Sequence, residues 1–337
     1  MAGSIADRKR RWNDFFSGRR RKILLVHLWG DDAPPPRPWP HPDNIQERVD
    51  WSLAVYRRQR DLAGWLDDDA IPFLDPFSGT EVFAEAFGCP VHRPGTTMPF
   101  ALPLVRQVGD LRRLRAPKVE ESSLAAIFDI ADRLRAAEPL ALMRLPDIQS
   151  PFDIAALVWE KAEFFAALHE EPEAAREMVA LAEDLLTRFL DLWYARYGSE
   201  FVAHFPAYYM AKGVTLSEDE AGSISPAMFG DFSKPAIDRL AARFGPLGVH
   251  CCARAEHQWR HFKDFRGLSL LNLVTADDAV TRATTFFGDS CAHMHYPMGG
   301  GAEPPPNLRR VREVHCGNRE EAKKACERRA ETETGGT

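Results

Sequence analysis

Short apolar runs alternate along this chain with longer stretches whose apolar residues recur every three or four positions. Runs of strand length lie at 23–29 (ILLVHLW), 71–74, 140–145, 201–209, 213–216, 247–251, 268–273 and 291–296. Between them, residues 47–66 carry Val49, Leu53, Val55, Tyr56, Leu62 and Leu66 roughly on one helical face, which predicts a helix. The same period predicts helices over 81–87, 122–137, 171–197, 235–244, 256–265 and 277–287. Ser150-Pro151 and Ser225-Pro226 read as N-caps followed by proline at the first helical position, and Gly88, Gly198 and Gly245 as helix stops. Roughly eight strand–helix units in succession, with no Gly/Ser linker between them, predict a parallel sheet closed into a (β/α)₈ TIM barrel. The expected organisation is a basic segment at 1–22, the barrel at 23–316 and a charged, flexible tail at 317–337. The proline-rich run DDAPPPRPWPHPDN after the first strand is expected to form a lid or wall.

Composition narrows the function classes. With 337 residues, 45% hydrophobic and 27% charged, the chain is long enough for a large core. A net charge of −6 argues against general nucleic-acid binding. No run approaches a membrane span, and no apolar stretch follows the basic N-terminal residues, so a secretory signal is not expected. Six scattered cysteines fit a reduced, cytoplasmic location, where clustered Cys and His point to metal or catalysis. Residues 8–22 hold eight basic residues and one acid. They read either as a phosphate-binding arm or, with more weight, as a solvated helix docked through Trp12, Phe15 and Phe16. No G-x-G-x-x-G or Walker lysine follows a strand, which weakens a nucleotide-binding reading.

In a barrel, chemistry gathers at the C-terminal ends of the strands. Those ends offer His27, Trp29 and Asp31; then Asp75; Asp147; the Glu218-Asp219-Glu220 cluster; His250-Cys251-Cys252; Asn272; and Cys291, His293 and His295. His250 and Cys252 lie two apart on one strand, so imidazole and thiol face the same side, and both are good zinc ligands. A buried core histidine and cysteine would look the same. Cys291 and His295 alternate on what reads as the last strand and are the candidates for further metal ligands. Asp75, Asp147, Glu218 and Glu220 are the candidate acid/base or substrate-anchoring groups. His257 and His261, one helical turn apart, read as a solvated helix face, and Cys316 and Cys326 as bystanders beside the tail.

The runs IPFLDPFSGTEVFAEAFGCPV, SPFDIAALVWEKAEFFAALHEEPE, ISPAMFGDFSKPAIDRLAARFGPLGVHCC and PPPNLRRV, in that order, resemble the uroporphyrinogen decarboxylase superfamily over about residues 20–312. The resemblance implies a (β/α)₈ barrel and one of two activities. The decarboxylases of that family use no cofactor, hold substrate carboxylates with an arginine-rich N-terminal segment and employ an aspartate in a Ser-Asp-Ile-Leu-like motif. Here the first strand, KILLVHLWGDD, lacks those arginines, and the later stretch reads PFSGTEVF, leaving Asp75 as the substitute. The other branch, corrinoid-dependent methyltransferases, holds zinc with His-x-Cys and a late Cys, and the zinc activates a thiol that takes a methyl group from methylcobalamin. His250 and Cys252 match the His-x-Cys; the late Cys should fall in YPMGGG, which has none, so Cys291 or His295 would replace it.

Three functions therefore stand at this point. The leading one is a methyltransferase with zinc at the barrel mouth, a small-molecule substrate and a partner protein carrying the corrinoid. The second is a metal-free decarboxylase or lyase acting on a carboxylated small molecule. The third is a non-catalytic barrel that binds a ligand or a corrinoid protein.

Overall fold

The computed structural model describes residues 3–30, 33–299, 305 and 307–334. Asp31, offered above as a strand-end acid, and the Gly300–Gly301 end of YPMGGG lie outside them. The eight expected strands form: β1 (Lys22–Leu28), β2 (Phe73–Leu74), β3 (Leu142–Arg144), β4 (Phe201–Val202), β5 (Val214–Ser217), β6 (Leu247–Cys251), β7 (Leu268–Thr275) and β8 (Ala292–His293). Strands β5 to β8 are joined in sequence by parallel pairing, as are β2, β3 and β4. A parallel bridge from Gln149 to Ser217 links the end of β3 to β5. The chain is a TIM barrel.

A ninth strand, β9 (Arg310–Cys316), is wedged between β8 and β1. It runs parallel to β1 through the full register from Lys22↔Arg310 to Leu28↔Cys316. The hydrophobic pattern does not predict it, because RVREVHC carries too few apolar residues to register as a buried strand. Its alternation is nonetheless regular. Ile23 and Leu25 of β1 belong to the main core, whereas Leu24, Val26 and Leu28 pack outward in a second cluster with Cys316. That face assignment puts Val311, Glu313 and His315 on the barrel side of β9. The charged tail expected to be flexible takes up a helix from Arg319 to Thr334. Its Ala322 and Ala325 are buried in the same outer cluster as Cys316, away from the strand ends that carry the candidate ligands.

Around the barrel stand α1 (Ile5–Phe16), α2 (Ile45–Trp65), α3 (Leu124–Ala137), α4 (Pro151–Val158), α5 (Pro172–Tyr197), α6 (Lys234–Phe244) and α7 (Asp277–Phe287). Their apolar stripes bury Phe128, Phe189 and Trp193, among others, against the strands. Helices α5 and α6 stop where Gly198 and Gly245 take positive φ, a conformation costly for residues with a Cβ.

The basic N-terminal segment is the docked helix. Trp12 and Phe15 of α1 are fully buried, and Trp12 Nε1 donates to the Asp69 carbonyl at 2.9 Å. Arg8 is 1% exposed; it pairs with Asp68 at 2.6 Å and donates to the Ala63, Leu66 and Ala70 carbonyls. Arg11 pairs with Asp69 at 2.5 Å. The Asp68 and Asp69 carboxylates in turn accept the Val26 and Leu24 amides of β1. These cations therefore fasten the helix across the foot of β1 and are not presented to a phosphate. Removing one partner of such a pair leaves an uncompensated buried charge. Arg8→Met is expected to lower unfolding free energy by about 3–5 kcal/mol in urea titration, whereas exposed Arg10→Met should shift it by less than about 1 kcal/mol.

Candidate metal centre

The ends of β5, β6 and β7 lie side by side, with Ser217, His250 and Asn272 at one level of the register. His250 Nδ1 sits 2.6 Å from Asn272 Oδ1, and Asn272 Nδ2 donates to the Met294 carbonyl. Because the amide nitrogen is committed to Met294, the amide oxygen must accept, so His250 carries its proton on Nδ1. The lone pair is left on Nε2, the arrangement seen in metal-ligating histidines whose other nitrogen is held by a second residue.

Asp219, His250 and Cys252 each offer a ligand atom, and these atoms lie within 4.8 Å of one another. Asp219 Oδ1 also accepts the Cys252 amide at 2.6 Å, which ties the β5 loop to the β6 end. The Asp219 turn is itself held from below. Ser150 caps α4 as its Ser-Pro start predicts, accepting the Asp153 amide. The Asp153 carboxylate then turns away from the helix and accepts the Asp219 and Glu220 amides at 2.7 and 3.0 Å. Burial, and then the Asp219 carboxylate, push the Cys252 thiol up to about 12. A carboxylate, an imidazole lone pair and a thiol converge where a cation would reverse that effect, and the oxygen, nitrogen and sulfur donors suit zinc. The residues fit the metal.

The other acids of the cluster point elsewhere. Glu218 is fully buried, bonds Ser233 Oγ at 2.6 Å and is pushed up to about 7, first by burial. Glu220 pairs with Lys161 at 2.5 Å. Neither joins His250; the middle residue does, because the chain turns at Asp219, where Asp153 holds the Asp219 and Glu220 amides.

Cys291 and His295 are corrected as ligands. Cys291 is fully buried just before β8, at the strand's beginning rather than its end, and burial pushes its thiol up to about 12. His295 Nδ1 accepts the Leu273 amide at 3.1 Å. Its Nε2 proton then faces His293 Nδ1 at 2.9 Å, and His293 Nε2 reaches the Gly288 carbonyl at 2.7 Å. Both rings spend both nitrogens on this chain, and burial holds both below the usual histidine range. His257 and His261 stay apart too: His257 bonds the Ile224 carbonyl and His261 lies against the Phe229 ring.

Two further acids border the mouth. Asp147 accepts from Gln149 Nε2 at 2.6 Å, its amide donates to Ser78 Oγ, and His204 Nε2 is 3.7 Å from its carboxylate. Asp75 pairs with Arg144 at 2.7 Å. That pair lines a cavity of about 650 Å³ running between β1 and β2, from Trp29 and Arg37 at the rim down to Trp12 of α1. The proline-rich run forms its wall: Pro34 to Arg37 line it, Trp51 Nε1 bonds the Pro35 carbonyl, and the Arg37 guanidinium lies 3.7 Å from the Phe77 ring centre.

The family model for uroporphyrinogen decarboxylase (URO-D) matches residues 69–292, about two thirds of the sequence. The chain belongs to the URO-D family. Its fold is similar to that of a methyltransferase from Methanosarcina mazei, with a TM-score of 0.66 and 13% sequence identity over 96% of this chain and 98% of that one. No curated protein matches it. No helix among the described residues is long and apolar enough to cross a membrane. Within the URO-D match fall Asp75, Asp147, Asp219, His250 and Cys252; β1 and β9 fall outside it.

Three outcomes test this geometry. Purified protein should hold about one zinc per chain by elemental analysis. Asp219→Ala, His250→Ala and Cys252→Ser should lose it, while Cys291→Ser and His295→Gln keep it. Asn272→Leu, which frees the His250 ring, should weaken zinc affinity about 10–100-fold in competition with a chromophoric chelator. Asp147 is raised from 3.8 to about 6, first by burial, so across that window the folded state holds a proton the unfolded chain has released. Its contribution to stability therefore falls as pH rises from about 4 to 6. Urea titrations of metal-free protein should show that loss in the wild type and a flatter pH dependence in Asp147→Asn.

Proposed function

We propose that this chain is a zinc-dependent methyltransferase that moves a methyl group between a corrinoid carried by a partner protein and a small thiol. The observation that carries the reading is the meeting of Asp219, His250 and Cys252 at the ends of β5 and β6, with His250 already held in the ligating tautomer by Asn272. Zinc, when bound, lowers the pKa of a thiol that reaches it, giving a nucleophile at neutral pH.

The protein's own residues supply the rest. Asp153 fixes the Asp219 turn, and Asn272 fixes the His250 ring. The Phe205 ring stands edge-on to His250 at 4.8 Å between centres and shields it from water. Asp147, raised to about 6, is an ionised proton acceptor at neutral pH within the same mouth. The methyltransferase similarity in fold agrees with this reading but does not carry it, at 13% identity.

A second reading rests on a separate observation. The Asp75–Arg144 pair faces the 650 Å³ cavity together with Arg37, a setting for a carboxylated small molecule and metal-free lyase chemistry. Methyl transfer from methylcobalamin to dithiothreitol, followed by the corrinoid absorbance change, separates the two. The proposal expects turnover that falls by at least about 100-fold on chelation, or in Cys252→Ser, and returns with zinc in the wild type. Full activity in metal-free protein would end it.

A further inference from the structure

The polar layer that holds His250 continues past the three metal donors. Gln149 bridges to Ser217, Ser217 is in register with His250, and His250 with Asn272, so these four side chains share one level and one face. Gln149 Nε2 bonds the Asp147 carboxylate at 2.6 Å. His204, from the loop after β4, fills the corner between them: its Nε2 lies 3.0 Å from Ser217 Oγ and 3.7 Å from Asp147 Oδ1. One imidazole and one strand thus separate the Asp147 carboxylate from His250, a span that a short alkyl chain covers.

The tautomer of His204 follows from what it faces. A lone pair on Nε2 would point toward a carboxylate, so Nε2 carries the proton and Nδ1 is left as an acceptor. The His204 side chain is 5% exposed, and Nδ1 is buried with no hydrogen-bond partner among the described residues. Burial, and then His250 and Arg144, hold His204 well below the usual histidine range, so the ring is neutral and gives Asp147 no counter-charge. A buried acceptor left without a donor is costly unless a ligand supplies one.

Asp147 lacks a cation of its own. It is raised to about 6 and so is ionised at neutral pH, yet the groups that meet it, Gln149, Ser78 and His204, are neutral. Arg144 acts on it from a distance, but that guanidinium is bonded to Asp75 at 2.7 Å and to the Ala203 and His204 carbonyls. Lys161 is taken by Glu220, and Arg254, two residues beyond Cys252, is exposed and pairs with no acid among the described residues. With Asp219 and Cys252 committed to the metal and Asp75 to Arg144, Asp147 leaves one negative charge uncompensated in the mouth. Its side chain is 19% exposed, so a molecule entering there reaches the carboxylate.

We infer that the thiol substrate carries an ammonium group and that Asp147 selects it, with the open His204 nitrogen as second acceptor. The sulfur meets the metal held by Asp219, His250 and Cys252, and the ammonium donates to the Asp147 carboxylate and to His204 Nδ1. The proton that Asp147 accepts is then a hydrogen-bonded one, kept by the substrate nitrogen. This rests on the zinc and thiol reading proposed above, and adds the charge of the substrate to it.

The test loads the full chain with cobalt(II) in place of zinc and follows the absorption band that appears when a thiolate joins the metal. The probes are cysteamine and 3-aminopropane-1-thiol, against neutral 2-mercaptoethanol and anionic 3-mercaptopropionate, with affinities expressed per thiolate present at neutral pH. The better of the two ammonium thiols should bind about 10- to 100-fold more tightly than 2-mercaptoethanol, the range for hydrogen bonds to a charged group. Asp147→Asn should abolish that ratio, and His204→Phe should lower it by at least about threefold. The cobalt spectrum before thiol is added reports whether each variant keeps its metal centre. Protein that takes up no cobalt, or a cobalt site that no thiol reaches, would bring down the metal reading and this inference together. A cobalt site that binds thiols regardless of charge, prefers 3-mercaptopropionate, or keeps the full ratio in Asp147→Asn or His204→Phe overturns this inference alone.

Discussion

The parallel register of β5, β6 and β7 is the constraint on which the metal centre depends. Parallel strands all end on the same side of the sheet, and neighbours lie about 4.8 Å apart, so residues at one level come within hydrogen-bond reach. Ser217, His250 and Asn272 share that level. The histidine therefore meets an amide from one neighbouring strand and, one turn of chain later, a carboxylate from the other. A slip of one residue would turn His250 and Cys252 to the opposite face together. Nothing in the loops could restore the site after that.

Charge divides the barrel mouth into two parts. On the β3 to β6 side, Asp147 and Asp219 stand near His250 and Cys252, an arrangement that favours a cation. On the β1 to β2 side, Arg37 and the Asp75–Arg144 ion pair border an aromatic-walled cavity, where acid and base already meet each other. The foot of the barrel handles charge differently. There Arg8 and Arg11 close on Asp68 and Asp69, whose carboxylates also take β1 amides, so the charges are consumed in holding α1. Acids of the same type thus serve as fasteners at one end and remain available for binding at the other.

β9 makes the rim particular to this chain. It stands between β8 and β1, and with the helix after it covers the outer face of β1 with Cys316, Ala322 and Ala325. The same strand delivers Glu313 and His315 inward beside His27. The family match ends at residue 292, before any of this. The metal half of the mouth thus falls within the shared part of the fold, and the His27 half outside it.

Local spacing by itself determined the barrel and the His250-x-Cys252 pair. Strand and helix periods are properties of neighbouring residues, and the two-residue spacing kept His250 near the end of β6 and Cys252 just past it on one side of the chain. The cap at Ser150 and the helix stops were legible for the same reason. Which acid completes the cluster was decided by tertiary structure, because Glu218, Asp219 and Glu220 have the same chemistry and differ in where the chain turns after Ser217. Asp153 sets that turn from 66 residues away. Cys291 and His295 offered suitable donor atoms, but one lies at the wrong end of its strand and the other has both nitrogens occupied. The strand RVREVHC carries a weak apolar signal of its own; its strandedness comes from seven registered partners in β1, at the other end of the chain.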